Sequence, residues 1–339
     1  MIKKHGLIIN LIQLYMSAKI NKSVNILSRE ENNSSLFTNK SIVNTINTDH
    51  LMKRNSILIF LLITLFFILS CKSKDYIIYY NKVNEIDSLY RIANQPEEAI
   101  KQYKKLFKKY SPKNQERIKE YETYIKLADQ HQKNFGGKKS LYKLIPLIAP
   151  YEGSEKSYFG LFQKYGIDST EVRKRIANWK KGLNRRLVDS FSVAFVRDQA
   201  ENRENFQLME KNDRINAQLL KWTFENYGYP SVQKIGLIGN DGIFMPMHPL
   251  FSHMVDEKEY PYLKAKMLEY IKSGDCIPKD YANMVDRHNL QISKEGTLYG
   301  IYLSYDAIVD TIKANQERKK IGIPSIKHSS KITKDYFKK

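Results

Sequence analysis

His248, His253, Asp286, Arg287 and His288 are the residues whose types could do acid–base or metal chemistry. An imidazole holds or passes a proton near neutral pH, and imidazoles beside a carboxylate are a common metal-ligand set. Their spacing gives no support of its own. His248 and His253 stand five apart, not at the i, i+4 interval that shares a helical face, and Pro249 lies between them. Asp286 and His288 flank Arg287, and an Asp-Arg step at a helix end also suits an ion pair or a cap. The five are therefore weighed as a catalytic or metal cluster against a satisfied structural network of polar groups. No metal and no cofactor is assigned.

Other chemistry is weaker. Gly236, Gly239 and Gly242 superficially form a phosphate loop, but the Gly-Lys-Ser/Thr ending and a surrounding βαβ unit are missing. A turn carrying backbone close to a helix is the expectation. Ser231 and Ser252 lack a nucleophile-elbow context. Nothing near Cys276 favours a thiolate. Arg173, Lys174, Arg175, Lys180, Lys181, Arg185 and Arg186 surround Trp179 with no acid among them. Such a run could hold anionic head groups or another polyanion, or be a solvated basic face.

These residues need elements to position them, and the apolar spacing is helical. Val83, Ile86, Tyr90 and Ala93 form one stripe. Ile100, Tyr103, Leu106, Phe107 and Tyr110 form a second, and Ile118, Tyr121, Ile125 and Ala128 a third. Pro96 with Glu97 and Glu98 suits a helix start. Further on, Asp198, Gln199 and Arg203 are placed in one long amphipathic helix. Asp213 is placed as the cap of a helix running to Asn226, with Gly228 as its stop. His288–Ser293 and Thr297–Tyr302, flanking Lys294-Glu295-Gly296, read as a short β-hairpin. The expected fold is mainly α. A helical-hairpin block (71–183) precedes a mostly helical domain (187–312) with that hairpin, and a basic flexible tail follows (313–339).

The chain has 339 residues, with 56 Lys and Arg against 36 Asp and Glu, a net charge of +20. That composition is globular. Two cysteines exclude a disulfide framework and a cysteine-rich zinc module. Lys53 and Arg54 precede an apolar run from Ile57 to Leu69, too short for a stable span and suited to the core of a signal peptide. The run closes in Ile68-Leu69-Ser70-Cys71, which resembles the lipobox of bacterial lipoproteins. That resemblance implies cleavage before Cys71 and lipidation of its thiol and amine. Met52 then reads as the initiator, residues 52–70 as the signal and residues 1–51 as a disordered extension outside the mature protein.

Two further resemblances concern the mature chain. Pro96 to Ile100 with Tyr103, Leu106 and Pro112 resembles the second helix of a tetratricopeptide repeat. Asp198-Gln199 with Arg203, Asp213 with Asn216, Tyr227-Gly228-Tyr229-Pro230, Gly236, a histidine at 248 or 253, Asp286-Arg287 and Tyr299-Gly300 occur in the order of a bacterial family described as a domain of unknown function. The leading expectation is a lipid-anchored binding module of the bacterial cell envelope, at the outer membrane, meeting a protein or polyanion and no nucleic acid. The alternative is a hydrolase-like envelope enzyme built on His248, His253, Asp286, Arg287 and His288.

Overall fold

The apolar stripes fold as amphipathic helices, and their buried sides build the core. The computed structural model describes residues 75–115, 117–302 and 310–338. The extension, the signal segment and Cys71 lie outside the described residues. Asp75 accepts the Ile77 N–H and caps α1 (Tyr76–Arg91). Helix α2 (Pro96–Lys109) returns antiparallel, with Pro96 in its first turn and Ala99, Ile100, Tyr103 and Leu106 buried. Helices α3 (Glu120–Gln130) and α4 (Gly137–Ile148) follow. Next come α5 (Phe159–Lys164), α6 (Ser169–Lys181) and α7 (Arg185–Asp198). Tyrosine is prominent inside. The Tyr79 hydroxyl donates to Glu120 at 2.7 Å, and Glu120 also takes the Asn114 and Gln115 amides.

The second half is built the same way, from α8 (Phe206–Asn226), α9 (Val232–Ile235), α10 (Met247–His253), α11 (Tyr260–Ser273) and α12 (Pro278–His288). Both halves share one continuous apolar core running from Tyr76 to Ile332. The protein is mainly helical, and no helix among the described residues is long and apolar enough to cross a membrane.

Four expectations change. Helix α8 is capped by Asn205, which accepts the Leu208 N–H, and Asp213 lies inside it. Helix α7 ends at Asp198, so Arg203 sits in a separate 3₁₀ turn, Ala200–Arg203. The β-hairpin is replaced by a π-helical turn, Asn289–Ser293, and an irregular loop. Its amides are gathered by a single carboxylate, Asp286, instead of pairing with a second strand.

The basic segment from Lys313, expected as a flexible tail, forms α13 (Thr311–Ile321) and α14 (Ile326–Phe337). Both pack against α1. The anchors are polar: His328 Nε2 meets Asp87 at 2.8 Å, and Asn84 donates to the Gly322 carbonyl. Gly322 has φ +87°, and a Cβ there would meet Tyr80. Charge composition alone could not reveal these few buried contacts.

Candidate functional site

The C-terminal turn of α7, the following 3₁₀ turn, the middle of α8 and the end of α10 bring four ionisable side chains together. Asp198 falls on the buried face of α7, in register with Phe191, Ala194 and Phe195. Asp213 does the same on α8, in register with Asn216, Ala217 and Leu220. Arg203 Nη1 donates to Asp198 Oδ1 at 3.1 Å and to Asp213 Oδ1 at 3.0 Å, and its Nη2 donates to Asp213 Oδ2 at 2.6 Å. His253 Nδ1 lies 2.7 Å from Asp198 Oδ1. Gln199 donates to the other Asp198 oxygen. Beside them, Arg197 donates to Asn216 and Asn212 donates to the Arg197 carbonyl.

Burial pushes the Asp198 carboxyl up, but the His253 bond and charge, the Gln199 bond and the Arg203 charge outweigh it, so its pKa is lowered. Arg203 loses hydration by burial, yet Asp213 and Asp198 raise its pKa above the ordinary arginine value. Asp213 goes the other way: burial raises its carboxyl above the ordinary carboxylate value even against the Arg203 bond and charge.

Ligand atoms of Asp198, Asp213 and His253 lie within 4.8 Å of one another, close enough to surround a cation. The Arg203 guanidinium already bridges both carboxylates and supplies the positive charge there. A metal would have to displace it. As an acid–base device the pair is better formed: with Asp198 accepting at Nδ1, a neutral His253 keeps its lone pair on Nε2. A neighbouring pocket of about 430 Å³ is lined by Asp213 with Met209, Glu210, Arg214, Asp256, Glu257 and Lys258, and His253 is not among its walls.

The other sequence candidates go elsewhere. His248 is exposed in the first turn of α10, about 140° round the helix from His253. Asp286 is fully buried. One oxygen accepts the Leu298 and Tyr299 amides, and the other accepts those of Ile301 and Tyr302. Burial pushes its carboxyl up even against these four donors. Arg287 donates to Gln291, four residues on. His288 Nδ1 meets the Val255 carbonyl at 2.7 Å, and its ring stacks on Tyr260 at 3.9 Å. Only His253 of the five joins the charged cluster.

Asp198, Arg203 and Asp213 are not among the site residues that type and spacing single out, and Asp213 is not the cap expected of it. The signal was present as acids standing at apolar positions of two amphipathic stripes.

The remaining motifs resolve locally. The glycine turn packs on α7: a Cβ at Gly239 would collide with Ser192 and Met245, and the Asn240 amide donates to Ser192 Oγ. Ser252 donates to the His248 carbonyl. Cys276 is buried, and burial raises its thiol pKa well above the ordinary value. The basic run is partly spent internally. Arg175 pairs with Glu171 at 3.0 Å and lies 3.8 Å over Tyr142, Lys180 faces Glu152 at 3.5 Å, and Arg186 covers Trp222. No protein-family model, no curated protein and no solved structure matches this chain.

Proposed function

We propose that this chain is a lipid-anchored protein of a bacterial cell envelope, held through Cys71, whose helical body is a binding module. The observation that carries the choice of binding over catalysis is the dispersal of the acid–base candidates. Asp286 is spent on a loop, Arg287 on its own helix end and His288 on a carbonyl, while His253 is bonded to Asp198 instead. The antiparallel α1–α2 pair carries the tetratricopeptide-like features Pro96, Ala99 and Tyr103, and hairpins of that kind serve as docking surfaces. The outer-membrane assignment and the domain-of-unknown-function resemblance belong to the same reading.

One observation favours a second reading, an envelope enzyme. The Asp198–His253 contact is the geometry of a buried carboxylate orienting a general base.

Affinity isolation of the protein from its own envelope, with metal analysis of the same sample, separates the two. The binding reading expects a stoichiometric envelope partner and trace metal. A protein recovered alone with one equivalent of bound metal overturns it.

A further inference from the structure

Helix α2 is charged unevenly. Its acids, Glu97 and Glu98, both lie in the first turn, and there they face Lys133 at 3.2 Å and Lys101 at 3.6 Å. Beyond that turn the exposed side carries only cations: Lys104, Lys105, Lys108 and Lys109. Lys101, Lys104, Lys105, Lys108 and Lys133 line one open groove of about 470 Å³ with Ile100, Asn134 and a single acid, Glu97, which Lys133 pairs. Lys104 reaches the Asn134 carbonyl, while Lys105 and Lys108 make no ion pair among the described residues.

The position of this face matters as much as its charge. Because α2 runs back along α1, its C-terminal end lies against the start of α1. The Tyr76 and Tyr110 rings meet at 5.4 Å, and the Tyr76 hydroxyl donates to the Ser111 carbonyl. Lys113 lies 4.6 Å over the Tyr76 ring at the same end. Asp75, the cap of α1, stands four residues after Cys71, at most about 14 Å of extended chain. If Cys71 carries acyl chains, the lysine-bearing end of α2 is tethered close to the head groups. At this end Asp75 caps α1 and Asp275 lies near Tyr76 and Lys113, against Lys105, Lys108, Lys109 and Lys113. The local balance is strongly positive.

We propose that the Lys104–Lys109 face of α2 binds the anionic phospholipid head groups of the membrane in which Cys71 is anchored. This rests on the lipid-anchor reading and deepens it: the acyl chains supply insertion, and the lysines set how the body lies on the surface. A basic face beside a lipid chain is a two-signal arrangement. Each lysine near an anionic surface adds attraction that falls off within a Debye length.

The test uses the full-length protein, processed and acylated, in vesicles of phosphatidylcholine alone or with one third phosphatidylglycerol. A water-soluble amine reagent is applied, and labelling of each lysine is read by mass spectrometry together with the mass of the Cys71 peptide. The expected result is several-fold protection of Lys104, Lys105 and Lys108 in the anionic vesicles only, lost in 1 M salt. Labelling of Lys211, exposed on α8, should stay unchanged. The double variant Lys105→Glu/Lys108→Glu should abolish protection at Lys104 while still floating with the vesicles. Acylated protein labelled equally in both vesicle types overturns the head-group proposal and leaves the anchor intact. Protection that survives 1 M salt also overturns it. Protein with an unmodified Cys71 that does not float overturns the anchor reading, and the placement of α2 falls with it.

Discussion

Asp286 and Arg318 grip one loop from opposite edges. Asp286 takes the amides of Leu298, Tyr299, Ile301 and Tyr302, and Arg318 donates to the carbonyls of Tyr299 at 2.7 Å and Gly300 at 3.2 Å. Both side chains are buried. Arg318 also donates to the Pro324 carbonyl and to Ser329, so it ties the loop to the α13–α14 connection. Its pKa is lowered to about 10 by burial, against the pull of Asp286. Asp286 of the Asp-Arg step thus meets the Tyr-Gly pair in a structural clamp whose arginine is Arg318, while Arg287 turns to Gln291.

Asp286→Asn should be destabilising rather than silent. An amide can accept from one pair of backbone donors, but its NH₂ would face the other pair. The expected loss is about 3 kcal/mol, the scale for breaking buried bonds to a charged acceptor. Thermal melting of the variant beside the parent checks it. A variant that melts like the parent yet has lost function would instead make Asp286 a functional group.

Gly228 ends α8 with φ +72°, a region β-branched residues tolerate poorly. Space is not the obstacle, since the nearest side-chain atom to a Cβ there is Lys234 Nζ at 3.7 Å. Gly228→Val should cost about 1–2 kcal/mol from backbone strain, and Gly228→Asn distinctly less, because asparagine visits this conformation. Denaturant midpoints of the two variants give the comparison. Equal loss in both would mean packing, not φ, sets the cost.

What the sequence disclosed and what it hid follow from distance along the chain. The stripes Ile100–Tyr110 and Ile118–Ala128 were legible because helical periodicity is local, and the residues in them are mostly buried. Gly228 was legible because a helix stop is local too. The hairpin was misread because what defeats it, Asp286, acts from the preceding helix. Helices α13 and α14 were hidden for the same reason: their mooring to α1 through Asp87, Asn84 and Tyr80 spans more than 230 residues. In the charged cluster, His253 stands out by residue type, but its partner Asp198 lies 55 positions away. Only packing reveals such a pair.

The Asp198 pKa is lowered in the folded protein, so this carboxylate adds stability above the ordinary carboxylate range and loses it as pH falls through its folded value. The groups facing it are His253, Gln199 and Arg203, with Asp213 beyond Arg203. Melting temperatures followed from pH 7 to pH 3 should fall more steeply in the parent than in Asp198→Asn, with the two curves converging at the acid end. Parallel curves would remove Asp198 from the acid response.

His253→Ala strips a partner from buried Asp198, although Gln199 and Arg203 stay in place. The expected loss is about 1–2 kcal/mol, and any loss of function should track it. His253→Gln, which can still donate to Asp198, should recover part of both. Parent-like melting in His253→Ala with function abolished would favour the enzyme reading.

The most direct measurement of the central claim is the chemical state of the mature N-terminus in the envelope. For the parent, mass spectrometry should find a chain beginning at Cys71 with a lipid on its thiol and an acyl group on its amine. Cys71→Ala should show no acyl labelling and leave either uncleaved precursor or soluble protein. An envelope-extracted parent whose Cys71 is unmodified and still joined to Ser70, or acyl labelling that persists in Cys71→Ala, would contradict the lipid-anchored account.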